Sequence, residues 1–131
     1  MEREALTIGV DTNVLLRLFR KDDEMQFLRA RAFFEQAERV HICSLVVTEL
    51  VWVLDRTFDY TQEQISAVLT TLLDAGGVVV EQDAIVRKHL AQPLDIPDAL
   101  IADRNAAAGC VSTVTFDIRA TRRIETMEPL S

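Results

Sequence analysis

Along this chain, short β-branched apolar runs alternate with stripes of apolar residues at helical spacing, so strands and helices are predicted to take turns. Leu6 to Val10 is one such run. It stops at Asp11, and Thr12-Asn13 after it is helix-starting chemistry. Val14, Leu15, Leu18 and Phe19 follow as a helical stripe. Asp22-Asp23 then offers a fresh N-terminus for a helix carrying Phe27, Leu28, Ala30, Phe34 and Ala37 to about Arg39. Val40 to Cys43 predicts a second strand, and Ser44 is placed to cap the helix behind it. That helix, LVVTELVWVL from Leu45 to Leu54, is apolar almost all round, so it is either central or covered by a partner.

Thr61 and Gln64 form a capping-box pattern ahead of the stripe Ile65, Val68, Leu69, Leu72 and Leu73, which Gly76-Gly77 ends. Val78 to Glu81 predicts a third strand, Asp83 a cap for a short helix, and Gln92-Pro93-Leu94 a break. Pro97 suits a first helical turn, so Asp98 opens a helix through Leu100, Ile101, Ala102, Asn105 and Ala106 to Gly109. The run CVSTVTF, Cys110 to Phe116, predicts a further strand stopping at Asp117. Such alternation implies an α/β fold: a short, mostly parallel sheet flanked by helices on both faces, with right-handed crossovers.

At 131 residues, 49% of them apolar and 27% charged, the chain fits a single domain, residues 1–131, able to bury its own core. No stretch approaches the roughly 18 apolar residues of a membrane span. The acid-bearing start, Met1-Glu2-Arg3-Glu4, is unlike a secretory signal, so cytoplasmic residence is expected. Cys43 and Cys110 lack metal-ligand or redox spacing and read as buried, inert thiols. A net charge of -7 argues against sequence-blind clamping of nucleic acid, so a polyanionic substrate needs local help, which metal ions supply.

Asp11, Glu49, Asp98 and Asp117 each fall where a strand ends or a helix begins. Taken singly, each reads as a cap or as a partner of the helix dipole. Together they point to one site, because carboxylates gathered at the carboxyl edge of a parallel sheet repel one another unless a cation sits among them. A hard divalent ion such as Mg²⁺ suits such oxygen donors. Asp22, Asp23, Asp59, Asp74 and Asp83 read instead as caps and solvated charges. Asp95 either caps the helix that presents Asp98, the favoured reading, or reaches the same pocket; Asp103 faces elsewhere, while Asn105 shares the Asp98 face. His41 and His89 have no triad-like neighbour, which disfavours nucleophilic or two-histidine catalysis.

The segments IGVDTNVLLR, VVTELVWVL, DIPDALIAD and VSTVTFD, in that order over nearly the whole chain, resemble a PIN-domain nuclease, and the compact length resembles the VapC-type toxins of bacterial toxin-antitoxin pairs. The resemblance implies a PIN-like three-layer sandwich and Mg²⁺- or Mn²⁺-dependent RNA cleavage by a metal-activated water, leaving a 5′-phosphate and a 3′-hydroxyl. It matches Asp11, Glu49, Asp98 and Asp117 to the family's four acids, and Asn13 and Thr115 to small polar positions beside the first and fourth. Asp95-Ile96-Pro97 departs from the pattern, since an aromatic or small residue more often precedes the third acid. Arg17, Arg20 and Lys21 after the first acid, and Arg119, Arg122 and Arg123 after the fourth, are candidates for RNA phosphate contact.

A small antitoxin blocking the acidic pocket, and a homodimer seam on the helix around Val46 to Leu54 and the first two helices, are the partners this reading expects. Three alternatives remain open. A haloacid-dehalogenase-like phosphatase would want a second Asp two residues after the first, where Asn13 stands, and a receiver domain would want an acidic pair at its first strand. A catalytically silent PIN-like binding module would not need all four acids.

Overall fold

The computed structural model describes residues 5–130, so the acidic start at 1–4 and residue 131 lie outside the described residues. Strand β1 (Thr7–Gly9) leads into helices α1 (Thr12–Phe19) and α2 (Glu24–Gln36), then β2 (Arg39–Ile42), α3 (Ser44–Arg56), α4 (Gln62–Asp74) and β3 (Val78–Val80). The second half runs through α5 (Asp83–Lys88), a 3₁₀ turn (Pro93–Asp95), α6 (Ile96–Ala107), β4 (Thr113–Thr115), α7 (Ile118–Arg123) and β5 (Met127–Pro129). The architecture is α/β, with every strand pair parallel.

Pairing divides the strands into two sheets among the described residues. One has the order β1-β2-β3, with Ile8 opposite Val40 and His41 opposite Val79; the other joins β4 to β5, with Val114 opposite Glu128. The far edge of β1 and the far edge of β4 therefore carry no ladder between them. Ile8 and Val114, the central residues of these strands, are 46% and 58% exposed. The short, parallel, helix-flanked architecture that the alternation predicts is present, with its ladder interrupted between β1 and β4 among the described residues.

Local chemistry explains most boundaries. Asp11 Oδ1 accepts the Val14 N–H at 3.3 Å and Asp23 Oδ1 the Gln26 N–H at 3.0 Å, so both acids start helices by satisfying a free first-turn donor. Thr61 and Gln64 make the reciprocal capping box their spacing predicts, at 3.1 and 2.8 Å. Gly77 is needed where it is: its φ is +77°, and a Cβ there would stand 3.0 Å from the Glu38 carbonyl oxygen.

Three sequence-based caps are corrected. Cys43, not Ser44, holds the N-cap position of α3, and the Ser44 hydroxyl turns instead to Gln82. Gln82, not Asp83, precedes α5. Asp95 occupies the N-cap position of α6 without a side-chain cap bond, because its carboxylate accepts from Arg123 Nη1 at 2.7 Å. Cys110 is exposed and Cys43 half-buried, which corrects the reading of both as buried.

The main core gathers Leu15 and Leu16 of α1, Ile42 of β2, the inner face of α3 (Val47, Leu50, Val51, Leu54) and the predicted α4 stripe. Thus α3 is central, as its composition suggests, but not buried all round: Leu45 is 82% and Trp52 44% exposed. A second, smaller cluster of Ala99, Ala102, Ala120, Ile124 and Met127 ties α6 to α7 and β5. No described helix is long and apolar enough to cross a membrane.

Candidate active site

Parallel strands send their carboxyl ends to one edge of a sheet, and there the chain places its acids. Asp11 follows β1, Asp117 follows β4, Asp98 is the third residue of α6, and Glu49 lies in the second turn of α3. Asp117 is fixed twice. Its Oδ1 accepts the N–H groups of Arg119 (2.9 Å) and Ala120 (3.2 Å), while its own N–H donates to Thr115 Oγ1 at 3.0 Å. Thr115 thus orients the fourth acid through the backbone, and one Asp117 carboxylate oxygen is absent from these cap bonds.

Asp98 is half-buried, and burial pushes its carboxyl above the ordinary carboxylate range; the negative charges of Asp117 and then Asp95 push the same way. Asp98 and Asp117 therefore stand close enough to repel. Arg123, which grips Asp95, belongs to α7, the helix that Asp117 starts. The acids of the two sheets are arranged differently. Asp11 and Asn13 line a cleft of about 560 Å³ against α2, reaching Gln26, Arg29 and Phe33. Asn13 also lines a smaller cavity of about 220 Å³ with Glu49, Arg17 and Arg20. Asn13 and Arg17 are thus shared between the surroundings of Asp11 and those of Glu49.

Among the described residues no three His, Cys, Asp or Glu side chains converge as a ready-made metal cage. Among the described residues no ladder ties β1 to β4, the strands that deliver Asp11 and Asp117. Mg²⁺ nonetheless commonly uses only one or two carboxylates, with water and substrate phosphate completing its shell. The repelling pair Asp98 and Asp117 fits that donor set.

The PIN domain family model matches residues 8–125, a span that includes all four acids. The chain belongs to the PIN domain family. PIN domains are generally nucleases, so a nuclease-type function stands for this chain at that level. Among curated proteins none matches it.

A polar network beside the acids went unread in the sequence of this PIN domain. Glu81 and Gln82 leave β3 at the same carboxyl edge, and Gln82 sits in the left-handed region at φ 56° and ψ 38°, a strained conformation for a residue with a Cβ. Its side chain joins three elements: the carbonyl oxygen accepts from the Ser44 hydroxyl, and Nε2 donates to Asp103 Oδ2 at 2.7 Å and the Leu100 carbonyl at 3.2 Å. Asp103 is therefore engaged by the residue that starts α5. The Ser44 backbone N–H donates to Glu81 Oε1 at 2.8 Å and holds the Glu81 carboxyl below its ordinary range, helped by the Ser44 side chain, Arg104 and His41 against the opposing effect of burial. Asn105 Nδ2 donates to Thr113 Oγ1 at 3.0 Å, pinning α6 to β4. The one signal available in sequence was the pair of polar residues directly after a β-branched run.

The six basic candidates divide by what holds them. Arg17 and Arg20 pair with Asp22 at 2.9 and 3.7 Å, and Arg123 pairs with Asp95. Lys21 Nζ lies 4.7 Å from the Phe27 ring centroid. Arg119 and Arg122 are exposed on α7. His41 is a half-buried β2 residue, and His89 follows α5 as its C-terminal cap.

Proposed function

We propose that this PIN domain is an Mg²⁺- or Mn²⁺-dependent endoribonuclease acting as the toxin of a VapBC-type pair. The observation that carries the reading is the placement of Asp98, in the first turn of α6, within repelling distance of Asp117 at the end of β4, inside a chain matched to a nuclease family. Carboxylates whose charges oppose one another in this way favour a hard divalent cation. Bound there, such an ion supplies water activation and charge relief at the phosphate.

The remaining steps belong to the chain's own groups. Asp98 and Asp117 provide the oxygen donors, and the Thr115 hydroxyl with the first N–H groups of α7 holds the Asp117 carboxylate in one orientation. Asn13 and Glu49, across the 220 Å³ cavity, supply polar groups to the side of the substrate nearer α1 and α3. No side-chain nucleophile is required, which agrees with the positions of the two histidines on β2 and after α5. A small antitoxin covering this edge, a homodimer and cytoplasmic residence complete the proposal. The exposed Leu45 and Trp52 on α3, with Met25 and Leu28 on α2, offer apolar surface for such partners.

The deciding experiment incubates total RNA with the purified protein, with and without Mg²⁺ or Mn²⁺, and compares wild type with Asp98→Asn. Cation-dependent cutting that the substitution abolishes supports the proposal. Cutting in the presence of chelator, or full activity of the variant, overturns it, and hydrolysis of small phosphomonoesters without RNA cleavage would turn attention to the phosphatase alternative.

A further inference from the structure

Helix α1 ends in two arginines whose guanidinium groups are only partly satisfied. Arg17 Nη1 donates to Asp22 Oδ1 at 2.9 Å, and Arg20 Nε stands 3.7 Å from Asp22 Oδ2, beyond hydrogen-bond length. The Nε groups of both arginines are buried and reach no acceptor among the described residues. Arg20 is also immobilised, its guanidinium 3.7 Å from the Phe58 ring centroid and 5.9 Å from that of Tyr60. Both side chains face the 220 Å³ cavity whose wall includes Asn13 and Glu49.

Buried donors without acceptors are rare in folded chains and point to something the site takes up. Each guanidinium carries five N–H donors in a planar fork, and a single carboxylate cannot serve two forks. A phosphodiester carries the same single charge as Asp22 but presents its non-bridging oxygens from a tetrahedral centre, with further acceptors in its bridging oxygens. It can meet both arginines, and exchanging one monoanion for another leaves the local charge balance as it was. Asp22 lies in the turn between α1 and α2 with its side chain 46% exposed, so it can withdraw into water when displaced. By contrast, the exposed Arg104 and its partner Glu81 lie across a different pocket, where no donor is orphaned among the described residues.

We propose that the Arg17–Arg20 pocket is a subsite for a backbone phosphate of single-stranded RNA adjoining the Glu49 side of the crevice, with Asp22 as the internal anion that occupies the arginines until the strand arrives. This assignment rests on the ribonuclease reading. It adds a positioning role for Arg17 and Arg20 and an opposing one for Asp22.

The test measures fluorescence anisotropy of a labelled single-stranded oligoribonucleotide on protein carrying Asp98→Asn, without divalent cation, across a salt series. Arg17→Gln and Arg20→Gln are each expected to weaken binding several-fold and to lower the slope of log affinity against log salt by about 0.7, the value for one lost single-strand phosphate contact. Asp22→Asn is expected to tighten binding several-fold. It removes no core contact, so it answers the question even if Arg20→Gln disturbs the packing on Phe58. Unchanged slopes in both arginine variants, or an Asp22→Asn variant as weak as Arg20→Gln, would overturn the subsite. Thermal stabilisation of the wild type by inorganic phosphate, with oligonucleotide slopes unaffected by either arginine, would assign the pocket to the free ion and overturn it too. Wild-type protein that cuts no RNA but keeps the slope change sinks the nuclease reading and leaves the subsite standing; cleavage with unaltered slopes does the reverse.

Discussion

Replacing Arg123 with Gln isolates the contact that holds α7 against the start of α6, and with it the relative placement of Asp117 and Asp98. Arg123 Nη1 meets Asp95 Oδ1 at 2.7 Å, where the Asp95 side chain is 13% and the Arg123 side chain 47% exposed. Exposed ion pairs contribute about 0–1 kcal/mol, whereas breaking a buried pair costs about 3–5 kcal/mol because the surviving charge is stranded. Asp95 is nearly enclosed and Arg123 is half in water, so the cost of Arg123→Gln should fall between these limits, at about 2 kcal/mol. For a chain of this length that corresponds to roughly 8 °C in Tm. Urea unfolding at pH 7 of wild type, Arg123→Gln, Asp95→Asn and the double variant measures the coupling directly. In the Asp95→Asn background no charge is left to strand, and Arg123→Gln should cost under about 0.5 kcal/mol. Equal costs in both backgrounds would refute the reasoning.

The remaining expectations concern the acids, the core and pH. Asp98→Asn should raise stability at pH 7 in chelator: a carboxyl held above its ordinary range favours the folded state below its unfolded pKa and loses that contribution as pH rises through the folded value, so the amide removes a neutral-pH cost. Calorimetry in which the variant is less stable than wild type would contradict this. In wild type, Mg²⁺ or Mn²⁺ should raise Tm in a concentration-dependent way, and Asp98→Asn and Asp117→Asn should each abolish the shift. Glu81 has the opposite sign: its lowered carboxyl contributes stability above the unfolded pKa that is lost as pH falls through the folded one, so Glu81→Gln should flatten the acid limb of a stability-against-pH curve. Leu54→Ala, at a fully buried α3 position, should cost about 3–5 kcal/mol in urea unfolding, and a loss below 1 kcal/mol would mean that this part of the core is misassigned.

What could be read in advance was local. The β-branched run before Asp11, the Thr61-Gln64 capping box and the α4 stripe each announce themselves within a few residues, and the structure keeps all three. The acids were legible for the same reason, since Asp11 and Asp117 mark strand ends and accept first-turn N–H groups as caps do. Partners far along the chain were not legible. The Ser44 hydroxyl finds Gln82 38 residues away, and Asp95 finds Arg123 28 residues away, so tertiary contact overrode two plausible caps. Helix α7 reads IRATRR, with too few apolar residues to set a period, and β5 reads MEP, with a proline suited to an edge, so both escaped pattern reading. The division into two sheets is likewise invisible to periodicity, because alternation fixes which segments are strands and not which edges meet.

Position 82 also constrains how this chain can diverge. A glutamate there would set a second carboxylate against Asp103, an asparagine would fall a methylene short of α6, and a glycine would relieve the backbone dihedral while severing the link between β3, α3 and α6. Substitution at 82 is therefore expected only alongside compensating change at 44 or 103, so these three sites should drift together through descent while the outer faces of the helices vary independently.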